Sequence, residues 1–297
     1  MHTCEGGTTS LATWAFAPHM MWQELFSYTW AEIDGWWCLF AEYGDGVFMP
    51  LPPLGPIPNG GRQDSYPFKD VVNHVVKYME IKNHGTAVTR IENVPEELKQ
   101  EFEELGFTVS KKDSDYLYRR QDLVNLKGDR YKVPRAAYNR FCRSHQAQYR
   151  SYEMINQDEC LALFHRWALQ KEAQYSEVGR LEDFSARYML QDAESAHRII
   201  LQSSKLLGLA GRVLCLDGVI LGYTFGYERT SDVFCILVEV VDRTVYGAAQ
   251  FLFREFCREM EPYTFINTMD DSGLPSLACS KRAYHPVQMV SNYIVTP

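Results

Sequence analysis

Asn267, Asp270, Asp271, Lys281 and Tyr284 fall within one short stretch near the end of this 297-residue chain. They follow the apolar run Thr264-Phe265-Ile266, which predicts a short buried strand over Thr264–Met269. Gly273 and Pro275 punctuate the turn after it, and a helix is expected over Leu274–Arg282. Two adjacent carboxylates at the end of a buried strand are costly unless solvated, paired or used. Used, Asp270 and Asp271 would bind the ammonium of an aminoacyl group or amine. Asn267 would line the site, and Lys281 and Tyr284 would add a cation and an acid. The same pattern is also that of a capping box, with Asp271 or Ser272 starting the helix.

A third carboxylate, Glu239, lies inside the expected strand Val233–Val241, between Val238 and Val240. There it either pairs with a cation or acts as a base with a raised pKa. Acyl transfer to an amine or hydroxyl needs a donor pocket, a polarised carbonyl, a base and an acid. Glu239, Asp270, Asp271 and Tyr284 are the catalytic candidates, and one Asp is expected to reach Glu239 or Tyr223 across a cleft. The strand Val233–Val241 runs into Asp242-Arg243-Thr244-Val245-Tyr246-Gly247-Ala248-Ala249-Gln250, which opens a helix. A strand, a small-residue turn and a helix start form an anion site, because free amides and the helix dipole point the same way. Arg243, Thr244, Tyr246, Gly247 and Ala248 are its candidates. Close helix-to-sheet packing would equally call for Gly247.

Positive charge gathers elsewhere. Arg119–Arg150 holds nine Lys/Arg against Asp122 and Asp129, in a chain whose net charge is −8. Such asymmetry points to an anionic partner, with Arg135, Arg140 and Arg143 as candidate contacts. A solvated basic helix packed against the acidic body of its own chain would look the same. No Gly-x-Ser-x-Gly, P-loop, kinase or zinc pattern occurs, so hydrolase, nucleotide-using and metal chemistry rank low and no metal site is expected.

The length suits two domains, and 46% hydrophobic residues suffice for sizeable cores. No apolar run is long enough for a membrane span, and no signal peptide is evident. Eight scattered cysteines without a C-x-x-C fit a reducing cytoplasm. Spacing predicts a helix over Met21–Trp30, strands over Gly35–Leu39 and Gly46–Leu51, and a proline-rich loop over Leu51–Gly61. Later, Asp217-Gly218 joins the strands Arg212–Leu216 and Val219–Glu228. Helices are expected over Gln157–Gln174, Ser185–Gln191 and Ala193–Leu206. A helix–strand–helix–strand order is read twice. It runs through Pro67–Lys82, Thr86–Ile91, Glu96–Leu105 and Phe107–Tyr118. It then recurs through Val245–Met260, Thr264–Met269, Leu274–Arg282 and Pro286–Val295. A single offset of 178 places Pro67 on Val245, Glu92 on Asp270 and Asn93 on Asp271.

Asn267-x-x-Asp270-Asp271-x-Gly273-Leu274, with Leu277, Lys281, Tyr284 and Pro286, resembles the closing motif of a bacterial family of unassigned function. That family is similar to the C-terminal domain of phosphatidylglycerol lysyltransferases. Asp115-Tyr116-x-Tyr118, Asp122-Leu123, Leu126-x-Gly128 and Asn139-x-Phe141 carry the same resemblance. The family's basic Lys-Arg-Asn run is here Pro134-Arg135-Ala136, keeping only the arginine. The resemblance implies an α+β chain of two tandem GNAT-like domains, 1–126 and 127–297, the second opened by a basic junction helix. Each would be a mixed, mostly antiparallel sheet flanked by helices. It further implies an acyl- or aminoacyltransferase with no tightly bound cofactor, drawing on acyl-CoA or aminoacyl-tRNA. In GNAT enzymes the turn at Arg243–Ala248 would hold the CoA pyrophosphate. Its usual Gln/Arg-x-x-Gly-x-Gly/Ala signature is met here by Gly247 and Ala249, with Thr244 in the Gln/Arg position. A non-catalytic ligand- or nucleic-acid-binding module on the same fold is the alternative.

Overall fold

A computed structural model describes the chain over residues 9–55, 66–85, 87–177 and 184–297. The extreme N-terminus, the later part of the proline-rich loop and Thr86 lie outside the described residues. From the N-terminus the elements are α1 (Ala17–Met20), β1 (Ser27–Ile33), β2 (Trp36–Tyr43), β3 (Gly46–Phe48), α2 (Phe68–Lys82), β4 (Ile91–Pro95), α3 (Glu96–Glu104) and β5 (Thr108–Arg119). Next come α4 (Arg120–Asn125), α5 (Lys132–Ser144), β6 (Gln148–Ser151), α6 (Gln157–Glu177), α7 (Phe184–Ser203), β7 (Ala210–Leu216) and β8 (Val219–Thr230). The chain closes with β9 (Val233–Val241), α8 (Ala248–Glu259), β10 (Phe265–Asn267), α9 (Pro275–Arg282) and β11 (Gln288–Thr296).

These elements form two compact units, each sheet and helix together. The first takes in Gln23–Asp115 with the N-terminal segment up to Trp14 and Val290–Pro297; the second takes in Ala15–Trp22 and Tyr116–Met289. In the first, α2 lays Val71, Val72, Val75, Val76 and Met79 against Trp36, Cys38 and Phe40 of β2. Its valines recur at helical spacing, so one stripe of the helix is apolar. In the second, β8 pairs antiparallel with β7 and β9, and β9 pairs parallel with β10.

Two sequence expectations are corrected here. Met21–Trp30 is not one helix, because Ser27–Ile33 is a strand paired with β2 from Ile33↔Trp36 to Ser27↔Glu42. Asp34 and Gly35 take φ 52° and 80° and close that hairpin tightly, as an Asp-Gly pair does. The expected strand at Thr86–Ile91 lies later, at Ile91–Pro95, because its partners are met there. Met49 exchanges hydrogen bonds with Arg90 and Glu92, and Val94 stands opposite Tyr293.

The repeated helix–strand–helix–strand order is present in α2-β4-α3-β5 and α8-β10-α9-β11. The offset of 178 fails between the helices. Glu92 and Asn93 lie inside β4, whereas Asp270 and Asp271 lie in a loop after the three-residue β10. The last strand of each run pairs with the middle strand of the other. Leu117, Tyr118 and Arg119 of β5 stand against Asn267, Ile266 and Phe265 of β10, within the second unit. Asn292, Tyr293 and Val295 of β11 stand against Pro95, Val94 and Ile91 of β4, within the first.

Candidate active site

The second unit gathers the chemistry around β9. Phe225 stands opposite Val238 and Gly226 opposite Ile236, so Leu237 is one residue too many and the strand bulges there. A bulge re-aims the side chains beyond it. Before it, Phe234 and Ile236 pack with Phe256 and Cys257 of α8; after it, Val241 packs with Ala248 and Leu252 of the same helix. Glu239 therefore points to the α8 face. β10 pairs with β9 only from Val233 to Cys235, so Glu239 lies on the stretch of β9 beyond that pairing.

Glu239 Oε2 is shut off from solvent and has no hydrogen-bond partner among the described residues. Burial alone pushes this carboxyl from its ordinary 4.5 up to about 8. Tyr284 and Cys257 are neighbours. Burial first, and the Glu239 charge second, push the phenol and the thiol above their usual ranges. Tyr284 packs on Phe253 of α8 with ring centroids 4.8 Å apart, and its carbonyl accepts a hydrogen bond from Tyr131 Oη at 3.3 Å. Tyr118 Oη donates to the Lys281 carbonyl at 2.9 Å, closing the tyrosine cluster. Cys257 was not singled out in the sequence, and Tyr118 only as part of the family resemblance; neither has a place in the site until the fold brings them beside Tyr284 and Glu239.

The closing motif is tied to itself. Asn267 Oδ1 accepts from Met269 N at 2.6 Å, and Met269 takes a left-handed φ of 62°. Asp270 Oδ1 accepts from Ser272 N at 2.9 Å, and Asp271 Oδ1 from Gly273 N at 3.1 Å. These are Asx turns, the local bonding that Asp prefers over helix interiors. Neither carboxylate caps α9, whose N-cap position is Leu274 with no side-chain cap. Asp271 Oδ2 also accepts from Tyr116 Oη at 2.5 Å. Lys281 Nζ donates to the carbonyls of Thr268 at 2.6 Å and Met269 at 3.2 Å, and also to that of Asp270. The lysine thus holds the turn in place. Among the described residues no hydrogen bond or ion pair joins Asp270 or Asp271 to Glu239. Tyr223 pairs with Val240, one residue away from the Thr224–Glu239 pair, and so faces the opposite side of the sheet. There it meets His197 Nδ1 at 2.9 Å.

At the β9–α8 turn, Asp242 Oδ1 accepts from Thr244 N at 2.9 Å and Oγ1 at 2.6 Å. Arg243 and Tyr246 are exposed, and Ala248 is buried. Gly247 has φ 87°, and a Cβ there would run into the Ala137 carbonyl of α5 and lie 2.9 Å from Phe141 Cβ. Glycine is needed because α5 crosses the start of α8. On α5, Arg140 stacks its guanidinium 5.0 Å from the Tyr246 ring centroid, and Arg143 is exposed. Arg135 has a local task, donating to the carbonyls of Leu126 at 2.5 Å and Gly128 at 2.9 Å where α4 ends.

Residues 12–296 match the family model described as phosphatidylglycerol lysyltransferase, C-terminal. Among solved structures, a conserved protein of unknown function from Bacteroides thetaiotaomicron superposes with a TM-score of 0.77 at 23% identity, covering 94% of this chain and 89% of that one. L-PGS from Bacillus licheniformis superposes with a TM-score of 0.60 at 16% identity, covering 93% and 85%. At these identities the likeness is one of fold. No curated protein matches the chain.

Proposed function

Because the chain belongs to the phosphatidylglycerol lysyltransferase C-terminal family, we propose that it is an acyl- or aminoacyltransferase with its reacting centre at Glu239. The family is one of transferases, and the fold is of the tandem GNAT-like kind: mixed, mostly antiparallel sheets flanked by helices. No helix among the described residues is long and apolar enough to cross a membrane. The donor in this reading is aminoacyl-tRNA or acyl-CoA, and the acceptor is an amine or hydroxyl.

The observation that carries the reading is the buried Glu239 Oε2, without a hydrogen-bond partner among the described residues, on the stretch of β9 beyond its pairing with β10. A carboxylate so placed takes a proton from the incoming nucleophile as its lone pair attacks the acyl carbon. The Tyr284 hydroxyl, held high by burial, keeps its proton and is suited to give it to the leaving oxygen or sulfur. The start of α8 with Arg243, Thr244, Tyr246, Gly247 and Ala248 would receive donor phosphate, extended by Arg140 and Arg143 on α5. Asn267, Asp270, Asp271 and Lys281 shape the loop that follows β10, and Tyr223 supports β8 from the far face.

The test is transfer of labelled acyl or aminoacyl groups from acyl-CoA or aminoacyl-tRNA to amine and hydroxyl acceptors. Glu239→Gln should cut turnover by at least a hundredfold, on the order expected for a general base. The alternative, a binding module without chemistry, is favoured by one fact: the charged groups of the closing motif are taken up by its own backbone and by Tyr116. Ligand-induced thermal stabilisation with no turnover for any donor would establish it.

A further inference from the structure

The reading above leaves the ligand group at Glu239 unnamed, and the surroundings of that carboxyl narrow it. On the sheet, the register places Thr224 of β8 opposite Glu239, but the Thr224 hydroxyl donates to the Val238 carbonyl at 3.1 Å and is occupied. From α8, Cys257 faces it; from beyond α9, Tyr284 does, with Tyr118 and Tyr131 behind. All these are neutral groups at neutral pH. Among the described residues no hydrogen bond or ion pair joins Glu239 to a lysine, arginine or histidine. Burial accounts for its proton affinity without help from a neighbouring charge.

At neutral pH most of such an acid is in its neutral form, and only the minor ionised fraction is ready to take a proton from a nucleophile. A cation would change this. Aromatic rings and a buried carboxylate together make a site for an ammonium, through ring quadrupole and charge. We propose that the group Glu239 receives is a primary ammonium brought in by the ligand, and that Glu239 releases its own proton to solvent as the ammonium arrives. The exchange balances: a neutral acid and a cation become an ion pair and one free proton. The inference rests on the reading that ligand reaches Glu239, and extends it to the class of group bound. The ammonium could belong to an aminoacyl donor or to an amine acceptor.

Calorimetry of the full chain separates these. Butylamine stands for the acceptor, glycinamide for the donor and 1-butanol for the neutral control, each titrated at neutral pH in buffers of differing ionisation heat. Binding of an amine should release about one proton at neutral pH, and its Kd should tighten about tenfold per pH unit up to about 8, then level off for butylamine and weaken for glycinamide as its own ammonium is lost. Binding of butylamine assigns the acceptor, and of glycinamide alone the donor. Glu239→Gln, checked for an unchanged melting transition at neutral pH or a higher one, should abolish proton release. Amine binding without proton release, butanol binding as tight as butylamine, or no binding of either amine would overturn the inference. Proton release without any acyl transfer would sink only the transferase reading. Transfer to hydroxyls without amine-linked proton release would sink only this one.

Discussion

Tyr116 and Asp271 meet across 155 residues of sequence, the phenol giving the carboxylate a 2.5 Å hydrogen bond. The bond fastens the loop after β10 to β5, the strand β10 pairs with. It follows that the two neighbouring aspartates differ in structural weight. Asp271 serves its own Asx turn and Tyr116, whereas among the described residues Asp270 makes side-chain bonds to Ser272 alone.

Asp271→Ala should therefore destabilise the chain by about 2–3 kcal/mol, leaving the buried Tyr116 phenol without its acceptor. Asp270→Ala should cost about 1 kcal/mol or less, a surface turn bond. Urea denaturation of both variants measures the difference. Equal losses would mean that the Tyr116 bond contributes nothing.

Stability should depend on pH through Glu239. Its folded-state pKa of about 8 lies above the ordinary 4.5, so the fold keeps a proton that the unfolded chain gives up. That contribution is fully present below about 4.5 and is lost steadily as pH rises to about 8. The total is on the order of a few kcal/mol. Melting of wild type and Glu239→Gln from acid to alkaline pH should show curves that diverge with rising pH, the Gln variant holding its stability. Parallel curves would place Glu239 in contact with water.

At Gly247 two costs coincide, a left-handed φ and a collision with α5. Gly247→Ala should lower stability by about 2–4 kcal/mol. If the same variant also weakens donor binding, measured by titration with acyl-CoA or aminoacyl-tRNA, the start of α8 is shaped by α5 as well as by its own turn.

Cutting the chain after residue 126 should leave neither piece able to fold alone. Residues 1–126 lack Val290–Pro297, the partner of β4, and residues 127–297 lack Leu117–Arg119, the partner of β10. Circular dichroism melts of each piece should show no cooperative transition, and mixing the two should restore one. A cooperative melt from either piece alone would contradict this.

Much of the order of elements was legible because it rests on local signals. Asp217-Gly218 marks a tight hairpin and the structure puts Asp217 at φ 51° and Gly218 at φ 81°. Asp34-Gly35 carried the same signal, but the aromatic spacing over Met21–Trp30, just before it, suggested a helix. What was not legible depends on partners distant in sequence. No residue type announces the bulge at Leu237, which turns Glu239 toward α8 and leaves Tyr223 on the other face. Lys281 reads as a free cation because the carbonyls that take up its ammonium come from a left-handed turn at Met269, where sequence indicates no glycine.

The reciprocal pairing of β5 and β11 bears on how the protein is made. A ribosome delivers β4 long before Val290 emerges, so the first unit, begun first, is among the last things completed. Until β11 arrives, the face of β4 that will bond it presents open amides and carbonyls, a template for any extended strand nearby. The nascent chain should need shielding at that edge, and crowded expression should favour a dimer in which two copies trade their final strands.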